Sequence, residues 1–151
     1  MNTITTDIEL TRHVLSLFRI NLPVENISKV KTLKVVFYCY AWFLVATSNK
    51  STLCDEIPEA WDYGPVMKNA WNNWDDIVAD ASPLEPLDNQ VEKLIKDVFD
   101  LYKNLSSGEI VALSHSESPW VKAREKSSTR AKQNEKMVPE DIYKYYAQLA
   151  A

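Results

Sequence analysis

Glycine is nearly absent from this chain. Only Gly64 and Gly108 occur in 151 residues. Sheet-rich folds draw on glycine wherever a tight turn needs positive φ, so this scarcity argues for helices. It also excludes glycine-rich phosphate loops, since neither G-x-G-x-x-G nor G-x-x-x-x-G-K-[ST] is present. Cysteine is limited to Cys39 and Cys54, in apolar or mixed settings. That is too little for a disulfide framework, and both thiols read as packing residues of a reduced, cytoplasmic protein. No secretory leader or lipidation motif opens the chain. The longest uncharged apolar run, Val35–Ala46, has twelve residues. A bilayer span needs roughly 18 or more, so no membrane role is expected.

That run is the spine of the chain. It contains no charge, Gly or Pro. Its aromatic and β-branched content is compatible with a buried strand pair. A helix that is apolar nearly all round suits it better, and such a helix belongs at the centre of others. The lead-in agrees: Ser28 can cap, and Val30, Leu33, Phe37, Ala41, Leu44 and Val45 share a helical face. Thr47-Ser48-Asn49 supplies the turn chemistry that stops it.

Amphipathic stripes place the remaining elements. Leu10, Val14, Leu17 and Phe18 define a helix over 7–19, with Thr6 or Asp7 as cap. Residues 49–64 read as a loop or short hairpin lying over the core. Pro65 suits a first helical position, and Met67, Ala70, Trp71, Trp74, Ile77 and Val78 carry on at helical spacing. Trp71 and Trp74 are expected in the core, the alternative being a partly exposed partner-binding edge. Pro83 and Pro86 mark a linker. Val91, Leu94, Ile95, Val98 and Leu101 define the next helix. Ser106 with Glu109 forms a capping box for a short helix ending near His115. Pro119-Trp120 starts another short turn. Residues 126–136 have almost no apolar content and read as a mobile loop. Pro139, Glu140 and Asp141 open a last helix. The expected fold is all-α (mainly α): five or six helices around a buried central one, with at most a short β-hairpin near residues 50–64.

Charge is unevenly spread. Six cations between Lys122 and Lys136 face only Glu125 and Glu135, a local net of +4 in a chain whose total is -4. Such a segment is either a solvated loop or a contact surface for acidic groups. It has no interleaved aromatics and sits in an acidic protein, which argues against nucleic-acid binding.

No catalytic constellation emerges. Ser114 and His115 adjoin, but no nucleophile-elbow motif surrounds them. Cys39, Cys54, His13 and His115 show no metal-ligand spacing. Asp55, Glu56, Glu59 and Asp62 cluster, yet a cluster alone does not establish acid–base work. The residues imply a binding protein with no cofactor, no metal and no enzymatic activity.

Three stretches do match a known pattern. Lys34-Val35-Val36-Phe37-Tyr38-Cys39-Tyr40-Ala41-Trp42 is similar to Lys-Leu-Leu-Tyr-Tyr-Ala-Gln-Gly-Trp. The stretch from Leu53 to Val66 carries Glu59-Ala60-Trp61-Asp62-Tyr63-Gly64-Pro65-Val66, as in Glu-Ala-Trp-x-Tyr-Gly-Pro-Val. Leu113-Ser114-His115-Ser116-Glu117-Ser118-Pro119-Trp120, with Ala123-Arg124, resembles Leu-Thr-His-x-Glu-x-Pro-Trp…Ala-Arg. Order and spacing resemble the phage-associated Panacea domain, the SocA-like antitoxin family, over about residues 8–147. Cys54, Ser114 and Ala41 stand where the pattern has Phe, Thr and Gly.

The resemblance implies one antitoxin domain over 1–151, with no separate DNA-binding domain. Its partner would be a cognate protein toxin of a toxin–antitoxin system, neutralised by direct binding. An alternative within the family is a proteolytic adaptor that delivers the toxin to a ClpXP-type protease; homo- or hetero-oligomers are also compatible, as is some other phage-associated interaction role. Candidate contact residues are Trp61, Asp62, Tyr63, His115, Trp120, Arg124, Arg130 and Lys132. Arg124 is the expected anchor, through bidentate pairing with a toxin carboxylate, and Arg130 and Lys132 are rim charges. The competing role for Arg124 is pairing with an acid of its own domain. Gly64, Pro65 and Pro119 are structural. Trp61 and Tyr63 can pin the turn to the central helix, and His115 can fix the 113–120 turn.

Overall fold

The apolar run forms a helix, and the other elements close around it. In the computed structural model, which describes residues 2–125 and 135–151, helix accounts for 62% and strand for 8%. The mainly helical expectation therefore holds. The central helix α2 spans Lys29–Ala46, following α1 (Asp7–Arg19). Ser28 caps α2 by accepting from Lys31 N at 3.1 Å. Every residue from Thr32 to Ala41 is buried. Such a helix is surrounded because no face of it can be left to water. It stops where Ser48 and Asn49 turn left-handed, at φ 52° and 63°. Asn49 N then reaches back to the Leu44 carbonyl at 2.7 Å, satisfying an end-of-helix acceptor.

Four helices pack directly on α2: α1, α5 (Asn89–Tyr102), α6 (Ser107–His115) and α8 (Pro139–Ala150). Each starts where local chemistry allows. Thr6 caps α1, Asp88 caps α5, and Ser106 and Glu109 close the reciprocal capping box of α6. Asp7 is fully buried and does a different job from capping its own helix. Its carboxylate accepts from Asn69 Nδ2 at 3.0 Å and Ala70 N at 2.9 Å. It thereby caps α3 (Lys68–Asn72), whose own N-cap residue, Met67, offers no side-chain acceptor.

The hairpin lies over α2 somewhat later than the 50–64 expected. Strand β3 (Glu59–Trp61) pairs antiparallel with β4 (Gly64–Val66), with Trp61 opposite Gly64. Two minor strands, β1 (Asn2–Thr3) and β2 (Ser51–Thr52), pair in parallel. Pro65 is thus a strand residue rather than the start of a helix. Its partner Ala60 sends its N–H outward to the Glu135 carbonyl, at 2.8 Å. The Ala60–Pro65 pair is therefore a non-hydrogen-bonded one, where a missing proline N–H costs nothing.

Further differences concern helices. The stripe through Trp71 and Trp74 is broken at Asn73, giving α3 and α4 (Trp74–Ala79). Asn73 leaves helical geometry at φ -107° and ψ 17°, and its Nδ2 donates at 2.8 Å to the Asn69 carbonyl that its own backbone N–H also reaches. Both tryptophans are half-buried rather than core. The turn expected at Pro119 is a full helix, α7 (Ser118–Glu125). The described residues therefore hold seven α-helices besides the central α2, not five or six. Most of the loop expected over 126–136 lies outside the described residues. At its end, Lys136 bridges to Glu59, and Met137 N donates to the Pro58 carbonyl at 2.8 Å. Residues 135–137 thus flank β3 through a single isolated β-bridge.

Candidate partner-binding site

Lys34 sits mid-helix on α2 and is 2% exposed. A buried ammonium needs a partner, and the helix offers none. Its Nζ donates to the Pro65 carbonyl at 2.8 Å, tying β4 to the central helix. Burial lowers its pKa from 10.5 to about 7. Directly above it, Gly64 takes φ +109°. A Cβ there would lie 2.3 Å from Ser114 Oγ and 2.9 Å from Lys34 Cε. The glycine serves both the turn and the close approach of the hairpin to α2 and α6. Ser114 itself is buried and donates to the Val111 carbonyl at 2.9 Å.

One turn along α2, Tyr38 donates to Glu117 Oε1 at 2.6 Å. Tyr146 of α8 donates to the same oxygen at 2.9 Å. Burial raises the Glu117 pKa, opposed by these two hydrogen bonds to the charged form. Desolvation and the neighbouring carboxylate push both phenols upward. Tyr102 of α5 stacks on Tyr38 with ring centroids 4.0 Å apart and accepts from Trp42 Nε1 at 2.9 Å. This network joins α2, α5, α8 and the start of α7. Its centre, Tyr38, Glu117 and Tyr146, is closed to solvent, so its role is to fix those elements.

The outer face of the hairpin carries the exposed chemistry. Tyr63 at its tip is 60% exposed, and Asp62 beside it is also exposed. Behind the tip, Trp120 Nε1 donates to the Trp61 carbonyl at 2.8 Å. His115 stacks on Trp120 at 4.2 Å between centroids. Trp61 packs edge-on against Trp71 at 5.7 Å, and Lys29 Nζ lies 3.9 Å over the Trp71 ring. Arg124 of α7 reaches the hairpin from the side. Its Nη1 donates to the Ala60 carbonyl at 3.0 Å, its Nη2 pairs with Asp62 at 2.5 Å, and the guanidinium lies 5.7 Å from the Trp120 ring. Half-buried aromatics with one protruding tyrosine are the ingredients of an interface anchor.

The expected contact residues Trp61, Asp62, Tyr63, His115, Trp120 and Arg124 are thus brought to one face. Arg130 and Lys132 lie outside the described residues. Of the acidic stretch around Asp55–Asp62, Pro58, Glu59 and Ala60 are buried rather than exposed, because residues 135–137 flank them. Tyr63 points away from the central helix; Lys34 does the pinning. His115 holds its turn by stacking, and its Nε2 is buried without a hydrogen-bond partner among the described residues. Pro119 is buried at the start of α7. Neither the pinning role of Lys34 nor the polar network of Tyr38, Glu117 and Tyr146, the last of which reads only as part of an apolar stripe, is apparent from the sequence. A signal existed for one of them: Lys34 is a charge in a helix too apolar to have a solvent face. Among the described residues no group of His, Cys, Asp or Glu is placed to hold a metal ion, and no helix is long and apolar enough to cross a membrane.

Comparison with protein families gives a match of residues 33–121 to the model described as Antitoxin SocA-like, Panacea domain. No curated protein and no solved structure matches the chain.

Proposed function

Since the chain belongs to the Antitoxin SocA-like, Panacea domain family, we propose that it is an antitoxin that neutralises a cognate protein toxin by binding it directly. The observation that carries this reading is the span of the family match, residues 33–121. It includes the hairpin, the buried residues Lys34 and Ser114 beneath it, and the first half of α7 with Trp120. The toxin is seated on the hairpin face, with Tyr63, Trp61 and Trp120 as the apolar contact and Asp62 at the edge. Arg124 contributes mainly by holding the hairpin, since its donors already meet Ala60 and Asp62. Its planar guanidinium remains a geometry a toxin carboxylate can share. No chemistry is assigned to the protein; it acts as a binder.

Co-expression with the product of the adjacent reading frame tests the reading. The expected result is rescue of growth and co-purification of the two chains. Rescue without association, or association without rescue, contradicts it. A proteolytic adaptor is distinguished by rescue that disappears in cells lacking the protease.

A further inference from the structure

Far from the hairpin, helix α5 presents an unusual surface. Beside it lies an open groove of about 380 Å³ lined by Trp42, Val45, Leu94, Val98, Leu101 and Ala150. The floor is apolar, Gln90, Lys93 and Asp97 also line it, and no described residue covers it. Leu101 stands at its edge and is 67% exposed, a large apolar knob next to an apolar hole.

Part of the charge pattern along α5 runs in the wrong order for a helix on its own, although Glu92 in its first turn and Lys103 at its C-cap, which pairs with Asp100 at 3.0 Å, stand in the favourable order. Lys93 and Lys96 precede Asp97 and Asp100, and pair with them at i, i+4 spacing. An isolated helix prefers the acid on the N-terminal side of each pair, and prefers cations, not Asp100, in its last turn. The arrangement is self-complementary, however. When two copies of α5 run antiparallel about a two-fold axis near its middle, Lys93 and Lys96 of each copy face Asp100 and Asp97 of the other. The same operation carries Leu101 of each copy toward the groove of its mate, as an isologous interface requires.

We propose that the α5 face seats a second copy of this chain, forming a symmetric dimer in which Leu101 enters the partner's groove. The paired charges Lys93 and Asp100 set its antiparallel register. The dimer leaves the hairpin face open on both copies, so it adds to the antitoxin reading without depending on it.

Sedimentation equilibrium on the full chain, across the micromolar range, tests this. The wild type is expected to dimerise. Leu101→Asp should weaken dimerisation by roughly 30-fold or more, as for loss of an interface anchor, with melting temperature and helix content unchanged. Asp100→Lys should weaken it too. Lys93→Asp combined with Asp100→Lys should restore it, because complementarity returns with the signs exchanged. A wild type that stays monomeric throughout overturns the proposal. So does a dimer indifferent to both Leu101→Asp and Asp100→Lys, since another surface would then be responsible. Loss of toxin binding in Leu101→Asp, with a monomeric wild type, would assign the groove to the toxin and likewise refute self-association.

Discussion

Gly64 concentrates several demands at one residue. Its φ of +109° disfavours any side chain, and Ser114 Oγ and Lys34 Cε occupy the space a Cβ would need. Gly64→Ala should therefore cost about 2–4 kcal/mol, combining backbone strain with overpacking. Urea unfolding measures it; a cost near zero would mean the hairpin sits off the central helix. Lys34, just below, gives a pH signature. Its folded pKa of about 7 lies below the 10.5 of the free side chain. Between those values the unfolded chain holds the proton more tightly. The group's destabilising contribution is thus full below about pH 7 and fades as pH rises toward 10.5. Lys34→Met should remove that dependence. The difference in stability between wild type and variant should therefore shift in favour of the wild type from pH 7 to 10. A difference independent of pH would contradict a buried, desolvated ammonium.

At the scale of elements, the hairpin and α7 form one unit. Tyr63 contributes little to the fold, being mostly exposed, whereas Arg124 bridges α7 to β3. Tyr63→Ala should weaken toxin binding by about 2 kcal/mol or more while leaving the melting temperature in place. Arg124→Ala should lower both affinity and melting temperature, because the hairpin loses its lateral support. If Arg124→Ala changes affinity alone, its guanidinium meets the toxin directly. Helices α1, α2, α5, α6 and α8 were legible because caps and apolar stripes are local signals. The second strand of the hairpin was not. Pro65 is compatible with both a helix start and a non-hydrogen-bonded strand position, and what decides is Lys34, 31 residues away. The break at Asn73 was hidden because the apolar stripe runs through it unbroken, while the backbone there turns to φ -107° and ψ 17°.

For the whole molecule, the organising role of α2 was legible, since a twelve-residue uncharged run in a chain this polar has to be covered. Phe37 tests that directly. It is fully buried and meets Tyr38 and Tyr146 edge-on. Phe37→Ala should cost about 3–5 kcal/mol in equilibrium unfolding, and a loss below about 1 kcal/mol would remove it from the core. The buried polar network was not legible, because Tyr38, Glu117 and Tyr146 are brought together only by the fold; 79 residues separate the first two. The hairpin face was legible in part: its residues came from the family motif, while its exposure and its bracing by Arg124 came from the structure.

The central claim is that this protein acts by occupying its toxin. Titration of purified protein into purified toxin, with no protease present, measures that most directly. The account predicts toxin activity falling linearly with added protein to an end point at a fixed molar ratio, with Tyr63→Ala shifting the curve to a shallow, weak-binding one. Full neutralisation by a small fraction of an equivalent would reveal catalysis, and no neutralisation until a protease is supplied would reveal an adaptor; either result contradicts direct occlusion.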